Sequence, residues 1–435
     1  MNTKGNSAVM KRIFPLCLIV ILIFVAACNK KSSTEPSDLE LMQEQVRTLV
    51  DSMWQNYLDE AGIETGGILF HAQSGDNRLF CKTNMPNHAS RHSLFRAASV
   101  TKTFTASAIM LLHQSNQLSI DDPVTAAIPG TTNPYLPDNQ DFAIPFKDQI
   151  TIRSLLEHRA GVFDLVNFNI PDSVSAVYAG MNWLDYVLGQ DPSHQFSIDE
   201  IISVIAQHQL IHHKPGAEYS YTNTGYMLLG KIIERVSGMS IEDYFSSMLC
   251  LPNGLDNITF PLDSAHSLPE PRIPSWVMLD SAPLSTDIYN MSHEVAQGNL
   301  VTDSEDLLSW ITKWQKGTAG LSLDTVLEMR QSSYPDQDYG LGTSYMEGFG
   351  YGHTGAIAGF LTLTFYDPLT DYSFVLLCNM WNFNSETSFD EQVYTLFDIA
   401  AHAKTLITGN QISTKSLKSN RQFQDMCKSI SKRRF

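Results

Sequence analysis

Ser99 and Lys102 stand three positions apart at the head of an apolar run that reaches Leu112. Residues three apart are neighbours on a helix surface, so the lysine amine can reach the serine hydroxyl across one turn. A serine hydroxyl is a weak nucleophile until a base takes its proton, and a neutral amine is such a base. Lysine ordinarily keeps its proton, with a pKa of about 10.4, so burial or a neighbouring cation must lower that value. The apolar residues downstream predict a buried helix, which meets the first condition. With Ser99 at the helix N-terminus, free N–H groups and the positive dipole end would lie beneath a developing oxyanion.

Two further segments carry groups suited to the same chemistry. Residues 214–226 read K-P-G-A-E-Y-S-Y-T-N-T-G-Y, with a turn at Pro215-Gly216 and an apolar helix expected from Tyr226. Tyr221 and Asn223 are therefore expected in a loop just before that helix. A tyrosine beside an ammonium ionises more easily and can pass protons to and from a serine oxygen. Asn223 can donate to a substrate carbonyl and accept from Lys102. Residues 351–356 read Y-G-H-T-G-A, just before an alternating strand. Glycines such as Gly352 and Gly355 let a substrate lie close along the backbone. His353 and Thr354 would offer a partly cationic group and a hydroxyl to a substrate carboxylate. The Ala356 N–H could join that of Ser99 as a second oxyanion donor.

The elements that must position these groups follow from periodicity and turn chemistry. Residues 38–61 space their apolar side chains as an amphipathic helix. Residues 66–72 and 78–81 read as two strands joined by the turn Ser74-Gly75-Asp76-Asn77. The serine helix follows, and residues 120–260 are rich in helical patterns with long connections. Leu361, Leu363 and Phe365 alternate with Thr362, Thr364 and Tyr366, a turn falls at residues 367–371, and 372–378 form another strand. Residues 389–407 read as a closing helix. Strands at both ends around a helical middle predict an α+β fold. One antiparallel sheet, built from both chain ends and flanked by helices, would stand beside a helix-rich central lobe, with the site in the cleft between them.

Lys4, Lys11 and Arg12 precede an apolar run at 13–27 that is too short to span a bilayer. It reads as a signal peptide, residues 1–27. Val25-Ala26-Ala27-Cys28 resembles a bacterial lipobox, which implies lipidation of Cys28 and attachment to a membrane on its extracytoplasmic side. Residues 28–37 would then be the lipidated cysteine and a polar tether. A hydrolase domain is expected over 38–410, with an α/β lobe at 38–119 and 298–410 and a helical lobe at about 120–297. Residues 411–435 form a basic tail. A formal charge of −17 argues against a nucleic-acid partner, which usually meets a basic face. Cys81, Cys250, Cys378 and Cys427 show no metal-ligand spacing. Outside the cytoplasm a disulfide among them is permitted.

S-x-x-K at Ser99–Lys102, Y-x-N at Tyr221–Asn223 and H-T-G at His353–Gly355, in that order, resemble the serine β-lactamase and penicillin-binding superfamily. The similarity is greatest to the branch of class C β-lactamases, D-alanyl-D-alanine carboxypeptidases and related esterases. Residues 149–158, 226–238 and 298–307 resemble further segments of that branch, and the resemblance covers roughly 40–405. It implies Ser99 as acylated nucleophile, Lys102 as its proton acceptor and Tyr221 as general acid/base. Asn223, His353, Thr354, Gly355 and Ala356 would position substrate, with no metal or cofactor. The substrate would be a small molecule or peptide, foremost a D-alanyl peptide of the cell wall. An ester or a β-lactam is the alternative, and a non-hydrolysing penicillin-binding sensor is an alternative of another class. Many β-lactamases carry lysine where His353 stands, which tilts the reading away from a dedicated β-lactamase. G-x-G-x-x-G at 350–355 precedes a strand and does not open a helix, so it fails as a dinucleotide motif.

Overall fold

The computed structural model describes residues 37–280, 282–335 and 337–412. The expected signal peptide, Cys28, most of the tether, Cys427 and nearly all of the basic tail lie outside the described residues. No helix among the described residues is long and apolar enough to cross a membrane.

The chain enters through α1 (Asp38–Ala61) and the hairpin β1 (Ile68–Ser74) and β2 (Asn77–Thr83). Its tight turn is Gly75-Asp76, with Gly75 at φ +56°, a conformation open to glycine without steric cost. Strand β3 (Phe95–Ala98) delivers the serine segment to α2 (Thr101–Gln114). The middle of the chain holds helix α3 (Ile152–Leu156), the helices Trp183–Gln190 and Ile198–His208, and α4 (Asn223–Ser237). After the short strand β4 (Leu300–Thr302) and helix α5 (Ser304–Gln315) come β5 (Ser344–Met346), β6 (Gly350–Ile357), β7 (Phe360–Asp367), β8 (Tyr372–Cys378) and the closing helix α6 (Ser388–Thr408).

The main sheet has six strands in the order β2-β1-β8-β7-β6-β5, every pair antiparallel. Strands from the two chain ends meet in register, Phe70 opposite Leu376 and Ala72 opposite Phe374. All seven positions of β8 are buried, so both faces of the sheet are covered. The alternation assigns the faces. Phe70, Phe374 and Leu376 join the core built with Trp54 of α1 and Phe389, Leu396 and Phe397 of α6. Leu69, Val375 and Leu377 join the opposite core, with Phe104 and Ile109 of α2 and Leu307 and Trp310 of α5. Each such side chain contributes about 1.5–3 kcal/mol by leaving water.

The α+β architecture matches the expectation, with two local differences. Helix α4 starts at Asn223, three residues before the expected Tyr226, because the Thr222 hydroxyl caps it by accepting from the Gly225 N–H at 3.3 Å. Short strands at Trp276–Leu279 and Ala282–Ser285 have no counterpart in the sequence reading, and the first pairs in parallel with Met380–Asn382. Cys81, Cys250 and Cys378 are buried free thiols.

Candidate active site

Ser99 sits in a two-residue turn between β3 and α2, half-buried at the surface of the core. The turn is sharp. Ala98 adopts φ +53°, a left-handed conformation that L-residues rarely hold. A register shift between Arg96 and Ala98 in the β3–β4 pairing marks the same corner. It is fixed by Thr101, whose hydroxyl donates to the Ala98 carbonyl at 2.7 Å and accepts from the Leu300 N–H at 2.9 Å. Behind the corner the buried Arg96 guanidinium donates to the carbonyls of His266, Thr286 and Asp287 at 2.8–3.1 Å, fastening those loops to β3. Below it, the Phe104 and Trp310 rings stack at 4.0 Å, and the Trp310 N–H donates to Thr103.

Lys102 is fully buried. Its Nζ lies 3.2 Å from Ser99 Oγ, 2.8 Å from Asn223 Oδ1 and 2.8 Å from the Gln297 carbonyl. The two carbonyl oxygens can only accept, so each takes an amine hydrogen. The Ser99 hydroxyl can donate as well as accept. In the neutral amine, the lone pair therefore faces Ser99, which is the alignment a base requires. Gln297 was not apparent in the sequence, because it acts through its backbone carbonyl. Its own amide donates to the carboxyl of the buried Glu294, which fixes the segment.

The Tyr221 hydroxyl shares a hydrogen bond with Ser99. Burial pushes its pKa well above the ordinary phenol value, and the bond to Ser99 only partly offsets this. Easier ionisation beside an ammonium was expected of Tyr221; desolvation acts the other way, and the phenol keeps its proton. Beneath Tyr221 lies the His158 ring, 4.2 Å away between centroids. Its Nδ1 accepts from the Thr222 N–H at 3.1 Å, so it holds the backbone between Tyr221 and Asn223. Burial, before any neighbouring charge, holds the His158 pKa well below the usual histidine value. His158 falls in a segment matched to the superfamily, yet nothing in its local sequence tells of this role.

His353 also departs from expectation. It is buried, with Nδ1 donating to the Thr354 carbonyl at 2.5 Å and Nε2 accepting from the Tyr339 hydroxyl at 3.0 Å. Burial and the neighbouring Lys102 push its pKa down to about 3, so the ring is neutral where a partial positive charge was expected. Gly355 has a different reason from the one anticipated. A Cβ there would lie 2.1 Å from the Ala97 carbonyl, so glycine lets β6 press against the strand that carries Ser99. Thr354 is buried and Ala356 half-buried on β6. The structure thus brings together Ser99, Lys102, Tyr221 and Asn223, with His353 linked to them through Tyr339 and Tyr221.

A family model described as Beta-lactamase matches residues 65–397. The chain belongs to the Beta-lactamase family, within the superfamily of serine β-lactamases and penicillin-binding proteins. Penicillin-binding protein 4* of Bacillus subtilis is 31% identical over 195 residues, 44% of this chain and 35% of that protein. Protein flp of Staphylococcus aureus is 26% identical over 310 residues, 68% of this chain and 54% of that one. The chain thus spans about half or less of the length of these curated relatives. Among solved structures, a D-stereospecific amidohydrolase from Streptomyces sp. has a TM-score of 0.60 at 23% identity, covering 76% of this chain and 94% of its own. The D-amino acid amidase of Ochrobactrum anthropi SV3 reaches 0.63 at 21% identity, covering 84% and 99%. At these identities the two structures share the fold.

Proposed function

We propose that this protein is a serine hydrolase that opens an amide, peptide or ester bond through an acyl-enzyme on Ser99. The observation that carries the reading is Lys102, buried, held by two carbonyl oxygens and within hydrogen-bond reach of the Ser99 hydroxyl. In acylation Lys102 takes the Ser99 proton and Oγ bonds to the substrate carbonyl carbon. The bond to the leaving group then breaks. Tyr221, still a phenol, gives the leaving group its proton and is reprotonated from Lys102, so the serine proton ends on the leaving group. Deacylation runs the same path in reverse with water in place of the leaving group. The N–H groups of Ser99 and Ala356 are the proposed oxyanion donors.

Cleavage of D-alanyl peptides, the carboxypeptidase reading, shares every one of these steps with amide and ester hydrolysis. The names of the amidohydrolase and amidase above support D-configured acyl groups as the first substrates to try. We also propose that the chain is anchored through Cys28 to a membrane on its extracytoplasmic side, which radiolabelled fatty acid retained by the native chain and lost in Cys28→Ser would support. Intact-mass analysis after incubation with penicillin, a D-Ala-D-Ala peptide, a D-amino acid amide and a short-chain ester tests the hydrolase. An added acyl mass that turns over and is absent from Ser99→Ala is expected. An adduct that persists on every substrate would point to a sensor, and no adduct at all would reject the reading.

A further inference from the structure

We propose that the site selects substrates whose leaving group is uncharged, amides and esters, over those whose leaving group ends in a carboxylate. The inference rests on the hydrolase reading above and names its substrate class. A leaving-group carboxylate needs a cation or several free donors, and the resemblance places that cation at His353. Here both nitrogens of that ring are already used. Nδ1 donates to the Thr354 carbonyl, and Nε2 accepts from Tyr339. The Tyr339 hydroxyl lies 3.4 Å from that of Tyr226, which donates to the Leu156 carbonyl at 3.0 Å. The Thr354 carbonyl and the Tyr339 hydroxyl between them hold the ring in one neutral tautomer. An extra proton on Nε2 would oppose the Tyr339 O–H and force that hydroxyl to turn away. With 1% of its surface exposed, the ring is also out of a substrate's reach.

The surrounding charge works in the same direction. The Lys102 amine, the base of the proposed mechanism, is already held by Asn223, Gln297 and Ser99. The negative charges of Asp164 and Glu157 are felt at Tyr221 and Tyr226. Both acidic residues are buried, at 0% and 2% exposure. The chain as a whole carries a formal charge of −17, which repels an approaching anion before it docks. A carboxylate desolvated here without a partner is penalised, whereas an amide or ester loses little.

The test uses matched pairs with one acyl group: N-acetyl-D-alanyl-D-alanine against its C-terminal amide, and the methyl ester of N-acetyl-D-alanine as a further neutral substrate. The expected result is a kcat/KM at least tenfold higher for the amide-capped dipeptide than for the free acid. Equal rates, or faster cleavage of the free acid, overturn the inference and leave the hydrolase reading standing. No turnover of any member, with Ser99 unmodified, removes both. Tyr339→Phe takes away the donor that fixes His353, and the ratio between the pair is expected to narrow. A purely structural loss would lower both rates alike, and an unchanged ratio would show that Tyr339 does not set the preference.

Discussion

In the proposed mechanism Lys102 and Tyr221 divide the proton work at Ser99 because their surroundings treat them differently. Lys102 gives hydrogens to two oxygens that can only accept, which turns its lone pair toward the serine. Tyr221, desolvated and pushed well above its ordinary pKa, is held as the acid. Replacing Lys102 by Met is expected to lower the acylation rate by about 10²–10⁴-fold, the usual worth of a positioned base. Tyr221→Phe should fall within the same range and slow deacylation too, which single-turnover measurements on an ester substrate will separate. Equal retention of both half-reactions in either variant would contradict the division.

Among the elements, what matters most to the site is how closely β6 approaches the corner between β3 and α2. The Gly355 position touches the Ala97 backbone two residues before the nucleophile, with no room for a methyl group. Gly355→Ala must push the strands apart or displace Ser99. A cost of about 1–3 kcal/mol is expected from overpacking, together with a fall in kcat larger than any change in KM. Thermal unfolding and steady-state kinetics of that variant check both. Wild-type kinetics in a folded variant would mean that the contact relaxes without moving the serine. The α2 helix, the Gly75-Asp76 hairpin and the strands β7 and β8 were legible because each is written in local periodicity or turn chemistry. The start of α4 was not, since the Thr222 cap looks in sequence like any loop threonine.

Across the folded chain, buried histidines make stability depend on pH. Burial lowers His71 and His212 to about 4 and His353 to about 3, and takes His158 well below its ordinary value. In the unfolded chain these rings protonate near pH 6.5. Between that value and their folded pKa values the unfolded state binds more protons, so stability falls as pH falls. A tenfold loss of proton affinity on folding corresponds to about 1.4 kcal/mol. Asp303 and Asp306 act in the opposite sense, because burial raises their carboxyls. The urea midpoint is expected to drop steadily from pH 7 to pH 5.5. A flat midpoint across that interval would mean that the rings take up protons without unfolding.

Residue type and spacing were enough to pick out the groups proposed to do the chemistry. Serine with lysine one helical turn on, tyrosine with asparagine two residues on, and the strand after His-Thr-Gly are all local patterns. Folding sets the state in which those groups work. The Gln297 carbonyl that orients Lys102 comes from 195 residues away. His353 became a neutral pin because its ring is enclosed by Tyr339 and the Thr354 backbone, and Tyr221 stayed a phenol because it is desolvated. Charge state depends on the water a folded chain removes and the partners it supplies, and neither is written in the neighbouring residues.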